Sequence, residues 1–257
     1  MDDLRLLIDL HRDAARQGPG GDAETELVLS LARVDRSKPL AIADLGCGTG
    51  ASTLVLARLL NATITAVDLS QVFLDVLDAR ASEQGCSEKI TTLCASMDDL
   101  PFADEHFDVI WSEGAIYTLG FAKGVEAWDR FLNVGGLLAV SEITWTTGSR
   151  PAELQAHWEG EYPEIDVASS KLRVLEQHGY TPIGYFALPE HCWLDNYYRP
   201  MQRRLGQFLA RNGHSADAQA IVDAEIREIE LYEQYRAYYS YGFYLSRKSD
   251  RRAPSSR

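Results

Sequence analysis

Between residues 40 and 145 the chain alternates two patterns of apolar positions. Short runs that are apolar at successive positions ("LAIADLG", "TITAVDL", "KITTLCA", "HFDVIWSE", "GLLAVSEITW") are interleaved with stretches whose apolar residues recur at helical spacing, such as "SQVFLDVLDARASEQG" and "KGVEAWDRFLNVGG". Continuous apolar runs suit strands buried on both faces. The alternation predicts an α/β fold: a mostly parallel sheet with helices on both faces. The glycine pair closing "KGVEAWDRFLNVGG" reads as a helix stop.

The flanks follow other patterns. "DLRLLIDLHRDAAR" and "DAETELVLSLARV" read as two amphipathic helices separated by "QGPGG", which cannot be helical throughout. Beyond the core, Lys171 to His178 reads as a helix, "YTPIGYFAL" as a sixth strand and "YGFYLSRK" as a closing strand. Between those strands the chain is mostly helical, and Val222, Ile226, Ile229, Tyr232, Tyr235 and Tyr239 fall on one face. The expected organisation is one domain over residues 1–248: a helical cap (1–36), a core (40–145) and a second half (146–248) with a helical insertion at about 193–239. A polar tail follows at 249–257. The insertion fits extra core or the surface of a homodimer, and equally a lid over the active edge.

With 25 basic and 38 acidic residues, the net charge of −13 repels phosphate backbones and argues against a nucleic-acid partner. No run approaches the ~20 apolar residues of a membrane span, and the charged N-terminal stretch lacks a cleavage site. A cytoplasmic, membrane-free location is expected. Cys47, Cys86, Cys94 and Cys192 form no CxxC pair and no metal-like spacing with the histidines. No disulfide and no metal site are expected.

"ADLGCGTGAS" lies directly after a strand and opens a helix, the context in which a glycine loop approaches a ligand with its backbone. Gly46, Gly48 and Ala51 also satisfy the dinucleotide pattern G-x-G-x-x-A. Asp44 weighs against that reading: a carboxylate two residues before the loop repels a pyrophosphate and attracts an ammonium group. Asp68, ending "VDLS", suits a ribose diol under either reading.

Through "DLGCGTG", "VDLS", "SMDDLPF", "FDVIWSEGAIY" and "FLNVGGLLAVSE" the chain resembles class I S-adenosylmethionine-dependent methyltransferases. "RQGPG", "SEGAIYTLGF" and "LPEHCWLDNYYRP" resemble a bacterial subgroup taken to act on small molecules. The resemblance implies a Rossmann-like class I methyltransferase sheet with an antiparallel closing strand. It also implies S-adenosyl-L-methionine as cofactor and S-adenosyl-L-homocysteine as product. The backbone around Gly46, Gly48, Thr49 and Gly50 would hold the methionyl end, with Asp44 near its amino group. Asp68 would take the ribose hydroxyls and Leu69 lie beside the adenine. Where relatives often carry an aspartate this chain has Ser96, so Ser96 or Asp98 would meet the adenine amino group and the Met97 N–H a ring nitrogen. Gln17 or Gly18 of "RQGPG" would close over the cofactor.

Glu113 leaves the fourth strand at the ligand-binding edge. It suits a turn cap, a partner for the cationic cofactor or a general base, with the cofactor partner favoured. His191 is a second candidate proton acceptor. Tyr117, Glu142, Trp145, Trp193 and Tyr198 are candidates to line the acceptor site, since aromatic faces hold methylated cations and planar rings; each aromatic alone equally fits a core. The expected function is in-line methyl transfer to a small aromatic or heterocyclic metabolite. The rivals are an NAD-dependent oxidoreductase and a protein that binds the cofactor without turnover.

Overall fold

A computed structural model describes residues 2–250 of the chain; most of the polar tail lies outside the described residues. Strands β1 (Leu40–Leu45), β2 (Ala62–Asp68), β3 (Ile90–Cys94), β4 (Phe107–Glu113), β5 (Leu132–Trp145), β7 (Tyr180–Ala187) and β8 (Tyr239–Lys248) form one sheet in the order β3-β2-β1-β4-β5-β8-β7. A two-residue strand, β6 (Asp166–Val167), pairs with the end of β5. β8 runs antiparallel to both its neighbours, and the other pairs are parallel.

Period-two alternation divides the strand residues between two cores. Ile42, Val109, Trp111, Leu137 and Ala139 face one side, packed with Leu6 and Leu10 of α1 (Asp2–His11), Val28 and Leu29 of α2 (Asp22–Leu31) and Leu56 of α3 (Ala51–Leu59). Ala43, Leu45, Ile110, Leu138 and Val140 face the other, packed with Val125 and Trp128 of α5 (Phe121–Asp129) and Leu175 of α7 (Ala168–Gln177). Leu74, Leu77 and Ala81 of α4 (Gln71–Glu83) close a third cluster against Ala66. α4 starts where the Ser70 hydroxyl accepts the Phe73 N–H.

The second half adds α6 (Ala152–Glu161) and then the insertion: α8 (Glu190–Trp193), a π-turn (Leu194–Tyr198), α9 (Arg199–Arg211) and α10 (Ala216–Tyr235). α9 and α10 pack against α1, so the insertion and the N-terminal segment meet on one side of the sheet.

Three expectations need correction. The helix expected to end at the glycine pair stops at Asp129, and Leu132 already pairs with Phe107. Gly135, at φ +78°, lies where the register of β5 slips against β4, so the glycines mark a bulge. α1 ends at His11 rather than Arg16, because the Ala14 and Ala15 carbonyls accept hydrogen bonds from Arg80 and the His11 carbonyl accepts one from Gln17. The face expected to run to Tyr239 ends with α10 at Tyr235; Tyr239 opens β8, and Ile226 is exposed.

Candidate active site

β1 and β4 are neighbours, with β2 beyond one and β5 beyond the other. Strand order reverses between them, which makes their C-terminal ends the switch point at which such sheets bind ligands. Asp44, Asp68 and Glu113 all stand at strand ends there.

The loop after β1 needs its glycines. Gly46, Gly48 and Gly50 all have positive φ. A Cβ at Gly50 would lie 2.1 Å from Leu77 Cδ1, and one at Gly46 2.3 Å from Ala115 Cβ. These contacts leave no room for a side chain, and the loop's N–H groups are engaged within the protein: Gly46 and Cys47 donate to the Val67 carbonyl, Gly48 to Asp68, Thr49 to Gln17 and Gly50 to the Cys47 carbonyl.

Asp44 is wholly buried behind this loop. Its Oδ2 accepts from the Ser52 and Thr53 hydroxyls at 3.1 and 2.6 Å, while Oδ1 is buried without a partner. Burial, reinforced by the nearby Glu113 carboxylate, pushes its pKa from 3.8 up to about 7 despite the hydroxyl donors. A buried carboxylate with an unused oxygen is suited to a cationic group. Asp68 accepts the Gly48 N–H (2.8 Å) and the Ser70 N–H (2.9 Å), and burial raises its pKa as well. Beside it Leu69 is 68% exposed, an apolar surface facing outward at the loop. Ser96 donates to Asp98 at 2.5 Å, and the Met97 carbonyl is held by Trp128 Nε1 at 3.1 Å.

The N-terminal segment lies across the glycine loop. Gln17 Oε1 accepts the Thr49 N–H at 2.9 Å, and its amide donates to the Thr49 hydroxyl at 2.9 Å. Arg80 ties the Thr49 and Ala14 carbonyls together at 3.1 and 2.8 Å. Gly18 has open space where a side chain would stand. Glu113 fastens the same segment: Arg16 donates to one oxygen at 3.0 Å, and Thr25 and Trp111 each to the other at 3.0 Å. Both carboxylate oxygens are therefore occupied by the protein.

Tyr117, Tyr241, Glu142 and Glu228 gather beyond Glu113. Tyr241 packs beside Gly114, its hydroxyl 3.7 Å from where a Cβ would be. Burial and then the carboxylates of Glu228 and Glu142 raise the Tyr117 hydroxyl's pKa. Glu142 is fully buried, 3.4 Å from Lys171 Nζ, and burial still lifts it to about 7; Glu228 is lifted to about 7 by burial and Glu225. Tyr198 donates to Glu228 at 2.9 Å. Trp193 is core: it stacks on Tyr232 at 4.4 Å and donates to Ser240. Trp145 is buried beneath the Arg150 guanidinium, 4.1 Å from the ring centroid. His191 is half exposed, with Nε2 3.2 Å from Glu24 Oε1.

Thr25, Arg80, Tyr241 and Glu228 were not marked by any motif, and Arg16 stood out only as the first residue of "RQGPG". Thr25 and Glu228 look like ordinary helix residues until the fold brings them to the sheet edge; only the closeness of Arg16 to "QGPGG" gives a hint.

Residues 42–136 match the family model of a methyltransferase domain. The methyltransferase GfsG of Streptomyces halstedii is 32% identical over 112 residues, covering 43% of this chain and 40% of that protein. An uncharacterised methyltransferase of Bacillus subtilis, YodH, is 30% identical over 135 residues, 52% of this chain and 56% of its own. The chain thus spans about half, or less, of these curated relatives. Among solved structures, an S-adenosylmethionine-dependent methyltransferase from Geobacter sulfurreducens in complex with S-adenosyl-L-homocysteine superposes with a TM-score of 0.81 at 19% identity, covering 96% of this chain and 98% of that one. YjhP of E. coli superposes at 0.82 with 22% identity over 95% and 99%. At such identities the likeness is one of fold. Residues 42–136 belong to the methyltransferase domain family, within a chain that has the fold of class I S-adenosylmethionine-dependent methyltransferases.

Proposed function

We propose that this protein transfers a methyl group from S-adenosyl-L-methionine to a small aromatic or heterocyclic acceptor. The unpartnered, fully buried Oδ1 of Asp44 carries this reading. A dinucleotide would bring a pyrophosphate to this loop, and a buried carboxylate would oppose it. The amino group of the methionyl moiety supplies the missing donor and charge. In this role Asp44 fixes the ammonium, and the side-chain-free glycine loop lets the methionyl end lie close against the backbone. Asp68 takes the ribose hydroxyls, and exposed Leu69 flanks the adenine. Ser96, the Met97 N–H and Asp98 lie to its far side, and Gln17 and Gly18 close the N-terminal side.

The bound cofactor supplies an electrophilic methyl group on a cationic sulfur. The chain's contribution is alignment and exclusion of water. On the acceptor side Tyr117 and Tyr241 offer faces for a flat ring, with Glu142 buried behind them against Lys171. Trp145, Trp193 and Tyr198 support this wall from the core. Glu113, its charge answered by Arg16 and its other oxygen held by Thr25 and Trp111, keeps the closing segment in place. His191, set against Glu24, is left outside the proposed proton path.

The test uses methyl-labelled cofactor incubated with the protein and a cell extract, followed by separation into metabolite, RNA and protein fractions. Label in the metabolite fraction is the expected result. Label confined to RNA or protein would overturn the small-acceptor reading, and calorimetric binding of NAD in preference to S-adenosyl-L-methionine would overturn the cofactor.

A further inference from the structure

Glu24 stands in the first turn of α2, a position from which a glutamate commonly caps its own helix, yet α2 has no side-chain cap. Its Oε2 is buried and unpartnered, although the carboxylate as a whole is about nine-tenths buried. The backbone makes room for it: a Cβ at Gly21 would lie 2.1 Å from that oxygen. Across from it, α8 presents His191 and Cys192. The His191 Nε2 is 3.2 Å from Glu24 Oε1 and 3.7 Å from Cys192 Sγ, and one ligand atom from each residue lies within 4.8 Å of the others. Arg16, the neighbouring cation, is already engaged by Glu113 and Asp22.

The two short separations, 3.2 Å between nitrogen and oxygen and 3.7 Å between nitrogen and sulfur, match a metal's geometry. With zinc bonds of about 2.3 Å to sulfur and about 2.0–2.1 Å to nitrogen and oxygen, tetrahedral angles place S and N about 3.6 Å apart and N and O about 3.4 Å apart. We propose that Glu24, His191 and Cys192 form a three-ligand site for a zinc-like divalent cation. The half-exposed edge of His191 leaves its fourth position to solvent. On binding, the Cys192 S–H bond breaks, the thiolate bonds to the metal and the proton leaves to solvent. The site joins α2, whose Thr25 holds Glu113, to α8 at the start of the insertion. A second link lies alongside it, the 2.7 Å hydrogen bond from Asn196 to the Gly20 carbonyl. An occupied site therefore clamps the N-terminal segment to the insertion. The sequence hid it because the carboxylate comes from a distant segment and His191 and Cys192 are merely adjacent.

The proposal is tested on the full chain after chelator dialysis, without cofactor, so its outcome is independent of the methyl-transfer reading. Titration with Co(II) should saturate at one ion per chain, with a thiolate-to-cobalt charge-transfer band that Zn(II) abolishes by displacement. Cys192→Ser should remove the band and Cys94→Ser should leave it intact. His191→Ala, at a half-exposed side chain that can be lost without unfolding the protein, and Glu24→Gln should each weaken binding at least about tenfold. No charge-transfer band in the parent, a band that survives Cys192→Ser, or unchanged affinity in His191→Ala would each overturn the site.

Discussion

Replacing Asp44 with asparagine should make the protein more stable and a worse cofactor binder at once. In the ligand-free protein the buried carboxylate is a burden: its pKa is pushed from 3.8 to about 7, equivalent to about 4 kcal/mol at ~1.4 kcal/mol per pH unit. Asparagine retains an oxygen for the Ser52 and Thr53 hydroxyls but places an amide N–H where Oδ1 has no partner, which costs about 1–2 kcal/mol. The net gain is about 2 kcal/mol, or a rise in Tm of about 4–8 °C at about pH 8 for a chain of this size. The sign follows from the raised pKa. An acid whose folded pKa is raised contributes fully below its unfolded value, and that contribution is lost as pH rises toward about 7. The variant's advantage should therefore shrink below neutrality, vanish near about pH 5, where the remaining carboxylate burden equals the amide penalty, and be reversed by about pH 4, where the wild-type carboxyl is largely protonated. Cofactor binding moves the other way: removing one member of a buried charge pair costs at least about 2 kcal/mol, or about 30-fold in Kd. Thermal unfolding across this pH range, with calorimetric titration at the alkaline end, reads both effects. A pH-independent difference, lower stability at about pH 8, or unchanged affinity would each refute the assignment.

Leu69→Ala should leave Tm nearly unchanged, because the side chain is mostly exposed, yet weaken cofactor binding by about 1 kcal/mol through lost apolar contact; calorimetry separates the two. Gly50→Ala should destabilise the fold by at least about 2 kcal/mol, since φ is +84° and the new methyl meets Leu77, measured by chemical denaturation. Glu113→Gln should weaken the bond to Arg16 by about 1.5–3 kcal/mol and hasten proteolysis within residues 12–21, read by timed digestion. Lys171→Met should cost about 3–5 kcal/mol above neutrality by stranding Glu142. The loss should lessen below about pH 7, where Glu142 takes up a proton, visible in denaturation curves at two pH values.

The sheet was readable because each strand is a nearly unbroken apolar run, and the glycine loop because "DLGCGTG" sits at a strand end. The strand bounds were less so. Asn133 to Gly136 continued a helical pattern on paper, but pairing with β4 extended β5 back through them. The proposed cofactor side rests on residues close in sequence to the loop, namely Asp44, Thr49 and Asp68. The proposed acceptor side draws on Tyr117, Glu142, Glu228 and Tyr241, far apart along the chain, and no spacing could place them together. Trp145 and Trp193 show the converse: an aromatic near a strand end has no signature that tells pocket from core, and here stacking and burial decided for core.

The placement of β8 has a consequence for the order in which the molecule assembles. β8 is among the last segments of the sequence, yet it sits inside the sheet, with residues 137–145 of β5 on one side and β7 on the other. During synthesis β5 therefore waits with an open, strongly apolar edge until some ninety further residues have been made, a span that contains the whole insertion. Such an edge is a template for pairing with another nascent chain. The aggregation hazard of this protein thus lies in the interval before β8 docks rather than in its native surface.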